Sequence, residues 1–308
     1  MDPARSSEII RRLASETGFM ACGFAAAGPL AGEQDHYSRW LERKVWGRMD
    51  YLRREAGKRL DPRLVMGEAK SVIALLAGYH SGVEIPPEEN YMIARYARGR
   101  DYHQRVREMA DALTDGMKRE FGAVRCRSFV DSGVLMEKAW AEACGIGWRG
   151  KNTLLVNPRS GSWVFIGIIL TDLEIEPDNP ETDHCGTCDR CVRACPTGAL
   201  EGPHVLNPLK CISYHTIETE SEIPESFRGL FGTRIFGCDI CQEVCPFNRT
   251  PQVCPDPDII PSPELVSMRK HDWESLTKER FGQLFHDTPV VRRGYETLMR
   301  NIRFVSGK

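Results

Sequence analysis

The sequence predicts an α/β (α+β) domain, followed by a small cysteine-rich domain and a short helical C-terminal tail. Apolar runs of strand type alternate with amphipathic helical patterns over residues 1–175. Residues 176–183 (EPDNPETD) then form a polar, proline-containing linker. Most of the cysteines fall within residues 176–255, and a proline-rich stretch leads from there into residues 256–308. We therefore expect three consecutive units with these boundaries.

The elements of the first unit follow from hydrophobic periodicity. Helices are predicted where apolar residues recur at helical spacing, over residues 6–15, 36–54, 103–120 and 134–144. Strands are predicted for apolar or β-branched runs, over residues 71–79, 124–130, 152–156 and 162–171. This alternation indicates helices layered on a central sheet. Short helices are expected from residue 262 onward.

Composition and charge narrow the class of protein. Hydrophobic residues make up 41% of 308 residues, which is enough for a packed core and argues against disorder. A formal net charge of -2 gives no global attraction to nucleic acid or membranes, although a local basic patch remains open. The sequence has no apolar stretch of membrane-spanning length and no apolar signal segment. We expect a cytoplasmic monomer without membrane contacts, in which the cysteines do not form disulfides.

Two cysteine strings carry the strongest chemical signal. The first has the C-x2-C-x2-C-x3-C-P spacing of bacterial ferredoxins and consists of Cys185, Cys188, Cys191, Cys195 and Pro196. The second lacks a first cysteine and consists of Cys238, Cys241, Cys245 and Pro246. Paired C-x2-C spacing also suits tetrahedral zinc, but four cysteines in eleven residues followed by proline favour iron–sulfur. The strings predict two [4Fe–4S] clusters and electron transfer.

The ligands of each cluster follow from the ferredoxin pattern, in which the fourth cysteine of one string binds the other cluster. One predicted set is Cys185, Cys188, Cys191 and Cys245. The other is Cys195, Cys238, Cys241 and Cys211. Cys211 replaces the missing first cysteine of the second string, and Cys254 is the alternative. The cysteines interpreted as ordinary buried thiols are Cys22, Cys126, Cys144 and Cys254.

Two short motifs resemble cofactor signatures but fail the test of context. The segment GIGWRG spells G-x-G-x-x-G, but a helix pattern precedes it and a strand pattern follows, the reverse of a dinucleotide site. We interpret its glycines as a helix C-cap and tight turn, or as a close backbone approach to a large flat ligand. Asp101 and His103 begin a D-x-H-x-x-G corrinoid signature, but Val106 occupies the glycine position. Asp101 is therefore predicted to cap a helix.

Longer segments resemble one known family, epoxyqueuosine reductase. They are ARYARGRDYH and FVDSGVLMEKAWAEACGIGWRGKNTLLVNPRSGSWVFIG, followed by the cysteine strings, and the resemblance starts at KRLDPR near residue 60. It implies an oxidoreductase with cobalamin and two [4Fe–4S] clusters that reduces epoxyqueuosine to queuosine at the wobble position of tRNA. It also implies a cobalamin-binding domain resembling the reductive dehalogenase core, joined to a bacterial ferredoxin-like two-cluster domain. The cobalamin would have no histidine ligand.

The resemblance implies roles for individual residues. Asp131 matches the family's proton donor, which protonates the oxygen as the epoxide opens. Such a carboxyl group must hold its proton near neutral pH, so we expect burial to raise the pKa of Asp131. The alternative is that Asp131 only caps the following helix. The implied cobalamin contacts are Arg59, Ala94, Asp131, Gly150, Lys151, Asn152, Leu155 and Ile166, with Arg149 nearby. For each cation among these residues, the alternative is a solvated surface charge.

For contacts with the corrin ring, the tRNA and the electron donor, the sequence gives sets of candidates rather than single residues. Aromatic candidates for stacking on the corrin or on a base are Tyr96, Tyr102 and Trp148, with core packing as the alternative. Candidate contacts to tRNA phosphates are Arg98, Arg100, Lys210, Arg228, Arg234, Arg292, Arg293, Arg300 and Arg303. Longer family members continue into helical repeats, and we expect a short form without them. The electron donor is expected to be an unidentified low-potential partner. The alternative functions are a dehalogenase-like corrinoid reductase of a small molecule and an electron-transfer module alone.

Overall fold

The helices and strands of the chain are taken from a computed structural model that describes residues 2–131 and 133–308. The helices are α1 (Pro3–Glu16), α2 (Ala31–Glu42), α3 (Ala56–Leu60), α4 (Tyr102–Phe121), α5 (Glu137–Ala143), α6 (Arg190–Ala194), α7 (Ile240–Glu243), α8 (Pro263–Ser267), α9 (Lys270–Glu274), α10 (Lys278–Phe285) and α11 (Gly294–Ser306). The strands are β1 (Ala21–Ala26), β2 (Ser71–Gly78), β3 (Met92–Ile93), β4 (Cys126–Phe129), β5 (Trp148–Arg149), β6 (Leu155–Val156), β7 (Val164–Thr171), β8 (Leu200–Gly202), β9 (Val205–Leu206) and β10 (Arg234–Phe236). Within these residues, no helix combines the length and the apolar character that crossing a membrane requires.

A four-stranded antiparallel sheet with the order β1-β2-β7-β4 forms the centre of the N-terminal half. Every residue of β2 is buried because helices cover both faces of the sheet. Successive side chains of β2 point to opposite faces. Ile73, Leu75 and Ala77 join the core that contains α1 and α4, whereas Val72 and Leu76 join the core that contains α5. The predicted layering of helices on a central sheet is confirmed, and its antiparallel pairing makes it an α+β arrangement.

Most predicted elements of this half are confirmed, and the deviations have local causes. Helices α1 and α4 and strands β2, β4 and β7 lie at the predicted places. The prediction of one helix over residues 36–54 is wrong, because α2 ends at Glu42 and Gly47 takes a left-handed conformation (φ 57°). Strand β1 escapes prediction because its residues (ACGFAA) are mostly small and carry little strand preference. The helix predicted from residue 134 begins only at Glu137.

Helices α8 to α11 build a second core with segments from elsewhere in the chain. Trp273, Phe285 and Ile302 belong to one buried cluster with Ile93 and Phe236. Strand β10 also pairs in parallel with β3, so the cysteine-rich region and the segment before α4 meet at this core. The C-terminal helices are therefore packed against the segment that leads into α4. The unit boundaries after residues 175 and 255 stay predictions.

Candidate active site

Two adjoining cavities lie between the sheet region and the cysteine-rich region. Their volumes are about 1490 Å³ and about 420 Å³. Since small-molecule sites usually have about 300–1,000 Å³, the larger cavity suits an unusually large ligand. The residues that line both cavities are Tyr96, Tyr102, Asp131, Glu137, Lys138, Thr153 and Leu206. The smaller cavity also reaches four predicted cluster ligands, Cys195, Cys211, Cys238 and Cys241.

Asp131 lies in the loop between β4 and α5, in the wall shared by both cavities. Its backbone is left-handed (φ 55°), a conformation that costs a non-glycine residue about 1–3 kcal/mol. Its N–H donates to Glu137 Oε1 (2.5 Å), which helps to hold that conformation. Its Oδ2 accepts a hydrogen bond from the Tyr102 hydroxyl (2.6 Å) and lies 2.8 Å from His103 Nε2. The alternative that Asp131 caps the next helix is wrong, because the N-cap of α5 is Met136.

The charge state of Asp131 differs from the one predicted. Burial opposes its negative charge, but hydrogen bonds from His103 and Tyr102 outweigh burial and keep the pKa of Asp131 below its ordinary value. Its side chain is 57% exposed, and that exposed surface lines the cavities. The expectation that burial raises the pKa of Asp131 is therefore wrong. Its neighbour behaves in that way instead, since burial and the charge of Asp131 raise the pKa of Glu137 to about 8.

The start of α4 supplies the groups that contact Asp131. Asp101 caps α4 as predicted, because its Oδ1 accepts a hydrogen bond from the His103 N–H (3.0 Å). The same oxygen lies 2.6 Å from His103 Nδ1. The Tyr102 ring stacks on Phe165 and on His103, with centroid distances of 4.3 and 4.0 Å. Arg292 Nη1, from the turn before α11, lies 2.8 and 2.7 Å from the two ring nitrogens of His103.

The predicted cobalamin contacts divide into two groups. Those that line a cavity are Arg59, Asp131, Asn152, Leu155 and Ile166. Those that lie outside both walls, within the described part of the chain, are Ala94, Gly150 and Lys151. Lys151 Nζ instead donates to the carbonyl oxygen of Gly186 (2.6 Å), beside the first cysteine string. Contact with the cofactor stays a prediction for all of these residues.

Arg59 and Arg149 are fixed within the protein rather than solvated. Arg59 is 7% exposed and donates to the carbonyl oxygen of Val134 (3.3 Å) and to two further carbonyl groups. It therefore anchors the loop that carries Asp131. Arg149 pairs with Glu33 (2.6 Å) and Glu142 (2.5 Å), which joins α2 to α5. The alternative of a free surface charge is wrong for both.

Most of the cations predicted to contact tRNA are engaged within the protein. Arg98 and Arg300 are 4% and 7% exposed and donate to backbone carbonyl oxygens, so the prediction that they bind phosphate is wrong. The cations that pair with acidic side chains are Arg100, Lys210, Arg228, Arg234 and Arg293. Arg292 and Arg293 line the larger cavity, and Arg303 is exposed.

Electrostatic interactions connect the cysteines of the two strings, and their division into two ligand sets stays a prediction. The thiols that act electrostatically on Cys245 or Cys191 include Cys185, Cys188 and, for Cys191, Cys245 itself. The thiols of the second group that interact are Cys195, Cys211, Cys238 and Cys241. Cys241 also interacts with Cys191, so the groups are neighbours. Two adjacent groups of four thiols fit the donor chemistry of [4Fe–4S] clusters. Cys254 instead packs in the core beside α4.

The three aromatic residues predicted to stack on the corrin or on a base differ in their position: one is buried in the core and two line the cavities. Trp148 is 2% exposed and packs on His184 and Phe247, so core packing is its role. Its Nε1 also donates to Cys185 Sγ (3.4 Å). Tyr96 and Tyr102 line both cavities, but Tyr102 already stacks on Phe165 and His103. Stacking on the corrin or on a base stays a prediction.

Sequence reasoning missed two charged residues at the start of α5. Glu137 and Lys138 line both cavities, and Lys138 Nζ donates to the carbonyl oxygen of Thr153 (3.1 Å). Burial, and next the charge of Arg149, lower the pKa of Lys138. Adjacent Glu and Lys residues in a helical pattern usually indicate a solvated face. The available signal is their position a few residues after the VDSG segment.

Comparisons with known proteins agree with this site. Residues 184–248 match the family described as 4Fe-4S double cluster binding domain, and residues 59–132 match the one described as Epoxyqueuosine reductase QueG. An epoxyqueuosine reductase of Cellulophaga algicola is 42% identical over 98% of both chains. That of Pseudomonas aeruginosa is 38% identical over 98% of this chain and 85% of its own.

Solved structures extend the likeness to the fold. An epoxyqueuosine reductase with an epoxyqueuosine-modified tRNA-Tyr stem loop has a TM-score of 0.88 at 31% identity, covering 97% of this chain and 80% of its own. The Bacillus subtilis enzyme, with its aspartate catalytic loop swung out of the active site, has the same values. The reductive dehalogenase NpRdhA, at 17% identity and a TM-score of 0.53, shares the fold, over 98% of this chain and 38% of its own.

These matches settle the choice between iron–sulfur and zinc, since the double-cluster family binds two [4Fe–4S] clusters. The larger cavity, lined by aromatic, apolar and many charged side chains, has the volume for a ligand of the size of cobalamin, the second cofactor, and the smaller cavity beside it reaches the thiols. The chain therefore belongs to the epoxyqueuosine reductase family, whose members are oxidoreductases dependent on cobalamin and iron–sulfur clusters.

Proposed function

We propose that this chain reduces epoxyqueuosine to queuosine at the wobble position of tRNA, with Asp131 delivering a proton to the departing oxygen. The position of Asp131 carries the proposal. It lies in the wall between a cavity large enough for cofactor and nucleoside and a smaller cavity that reaches the cluster thiols. The Bacillus subtilis relative has a catalytic aspartate loop, which is swung out of the active site in its solved structure, and this supports a role for the Asp131 loop.

The proposed cofactor sites follow from the same cavities. We assign one cluster to Cys185, Cys188, Cys191 and Cys245, and the other to Cys195, Cys211, Cys238 and Cys241. Asn152, Leu155 and Ile166 would hold cobalamin against the smaller cavity, with Arg59 supporting the opposite wall. When bound, the clusters supply single electrons and cobalamin supplies strongly reducing cobalt. The protein contributes position, exclusion of water and a proton.

The oxygen leaves as water, which requires as many protons as electrons. Asp131 is the carboxyl group in the shared wall that contacts proton donors on one side, Tyr102 and His103, and the cavity on the other. Its lowered pKa means that Asp131 rests as a carboxylate and takes up a proton during turnover.

We further propose that tRNA enters over the mouth of the larger cavity. Arg39, Arg43, Arg292 and Arg293 all contribute to its lining, and arginine side chains suit phosphate groups. Trp40 lines the same region and could stack on a base. A low-potential electron donor, a monomeric state and a cytoplasmic location remain predictions from the sequence.

The proposal is tested by an anaerobic assay of the reconstituted protein with cobalamin, a strong reductant and tRNA bearing epoxyqueuosine. Nucleoside mass spectrometry should show conversion to queuosine. No conversion, with iron content and corrin absorption both verified, would overturn the proposal and direct attention to a small-molecule substrate. The dehalogenase-like alternative has no specific observation in its favour here, since that likeness extends only to the fold.

A further inference from the structure

We propose that His103 stores the proton that Asp131 delivers, and that Asp101 keeps His103 charged for this purpose. The proposal deepens the proposed function and rests on it. His103 lines the larger cavity only, and its Nε2 faces Asp131, so we assign it a positioning and proton-storing role that acts through Asp131.

The hydrogen-bond geometry around His103 carries the argument. Its Nδ1 lies 2.6 Å from Asp101 Oδ1, and its Nε2 lies 2.8 Å from Asp131 Oδ2. An ionised carboxylate only accepts hydrogen bonds, and a neutral imidazole has a single N–H to donate. Both contacts are hydrogen bonds only if the three groups hold one extra proton. An imidazolium between two carboxylates lets each ring nitrogen donate to one carboxylate, and the three side chains form one proton-bearing chain.

Electrostatics place that proton on the ring. Burial opposes a charge on His103, but the hydrogen bonds to Asp101 and Asp131 outweigh it and raise the pKa of His103 above its ordinary value. Burial also opposes the charges of both carboxylates, yet contacts with His103 leave the pKa of Asp101 and of Asp131 lowered. The charged arrangement is thus the favoured one at each of the three groups.

Three other groups near His103 and Asp131 affect how firmly the ring holds its proton. Arg292, from the turn before α11, lies within 2.8 Å of both ring nitrogens and opposes a positive ring. Tyr102, on the same helix, donates to Asp131, and burial followed by the charge of Asp131 raises the pKa of its hydroxyl far above neutrality. Tyr102 therefore keeps its proton. Glu137, from α5, accepts from the Asp131 backbone behind the carboxylate.

The proposed step transfers one proton in two bond exchanges. The N–H bond at Nε2 breaks as an O–H bond forms at Asp131 Oδ2. That O–H bond then breaks as the departing oxygen takes the proton and its C–O bond opens, with electrons that the clusters and cobalamin would supply when bound. His103 is left neutral with its remaining N–H directed at Asp101, and solvent in the cavity restores the lost proton.

Asp101→Asn tests the charge with little change of shape. Asp101 Oδ1 accepts from the His103 backbone and faces Nδ1, and the amide oxygen of Asn can occupy both contacts. Asn is also as good an N-cap as Asp. Proton supply needs protonated His103, so the wild-type kcat should be level at low pH and fall as pH rises through the pKa of His103. In Asp101→Asn this fall should shift to lower pH by about one unit or more.

Arg292→Gln is the opposing variant. It removes the cation beside the ring, so the fall in kcat should shift to higher pH than in the wild type. Opposite shifts from the two variants support the proposal. If both variants reduce kcat by the same factor at every pH, the two residues have only a structural role and the proposal is wrong.

Histidine NMR of the full chain gives a second readout that does not depend on turnover. Nitrogen-15 shifts, assigned by difference with His103→Gln, should show His103 protonated at both nitrogens where an ordinary histidine is already neutral. Its midpoint should fall in Asp101→Asn and rise in Arg292→Gln. A neutral His103 at pH 7 would overturn the storage role even if the wild type converts epoxyqueuosine. If the wild type converts nothing with its cofactors present, the proposed function fails, and these midpoints alone decide the charge of His103.

Discussion

The cluster region and the Asp131 site are built in opposite ways. The predicted cluster ligands lie in two short strings, and only Cys211 lies outside them. The Asp131 site is assembled from three distant segments, the β4–α5 loop, the start of α4 and the turn before α11. Local spacing therefore identifies the first region directly. The second depends on tertiary packing, and its chemistry depends on contacts that the sequence does not display.

Removal of the Asp131 carboxylate should have the largest effect. Asp131→Asn keeps the size of the side chain but cannot take up and release the proton, so kcat should fall about 10²–10⁴-fold. Iron content should match that of the wild type because Asp131 is not among the predicted cluster ligands, and the corrin spectrum should match because Asn keeps the size of the side chain in the cavity wall. Activity within a few fold of the wild type would remove Asp131 from the proposed step.

The weakest cluster assignment is tested by comparing two cysteines. Cys211→Ala should lose one cluster, and with it half of the iron, because Cys211 lies among the thiols of the second group. Cys254→Ala should retain the full iron content, because Cys254 is buried in the core beside α4. Iron analysis and the visible spectrum of both variants provide the measurement. The reverse result would make Cys254 the ligand.

The sequence was sufficient to predict those features of the fold and the site that depend on a local pattern of residues. The sheet strands β2 and β7 and the helix α4 follow from periodicity, and the cysteine spacing predicts two clusters that the family comparison supports. The resemblance drew attention to Asp131 but misjudged its pKa. That pKa depends on Tyr102 and His103, whose contacts with Asp131 arise only when α4 packs against the β4–α5 loop. A burial argument alone cannot include them.

The same limit explains the errors among the charged residues. Arg98 and Arg300 look like surface cations in the sequence, but both are buried in the structure. Backbone carbonyl oxygens accept hydrogen bonds from both side chains, and Arg300 also donates to Asn301. Glu137 looks like a solvated helix residue, but it faces the cavities. The pattern of charges in a sequence does not show which polar groups will contact each charged side chain in the folded protein.

Glu137 gives a smaller effect that is visible in stability. Its pKa is about 8 in the folded protein against 4.5 ordinarily, so the folded state binds more protons between these values and loses stability as pH rises through them. Glu137→Gln keeps an oxygen that can accept from the Asp131 N–H but carries no charge. Its Tm should exceed that of the wild type by about 2 °C at pH 8, from about 1 kcal/mol after allowance for solvent screening. The difference should disappear near pH 4.5, and a constant difference at all pH values would contradict this account.

The smallest expected effect is on the midpoint potential of one cluster, through Trp148. Its Nε1 donates to Cys185 Sγ (3.4 Å), and such donors stabilise the more negative, reduced cluster. Trp148→Phe keeps the packing on His184 and Phe247 but removes the donor. Since a hydrogen bond contributes about 1 kcal/mol, the midpoint potential of one cluster should fall by about 40 mV.

Trp273→Phe, in the C-terminal core, makes the same chemical change beside Asn90 and should leave both potentials unchanged. Redox titration followed by electron paramagnetic resonance would measure both variants. A shift confined to Trp148→Phe would show that the N-terminal half tunes the clusters through a direct hydrogen bond. The local cysteine strings would then supply the ligands, while a residue outside them sets the potential. If neither variant changes the midpoint potentials from those of the wild type, the hydrogen bond from Trp148 has no effect on the clusters.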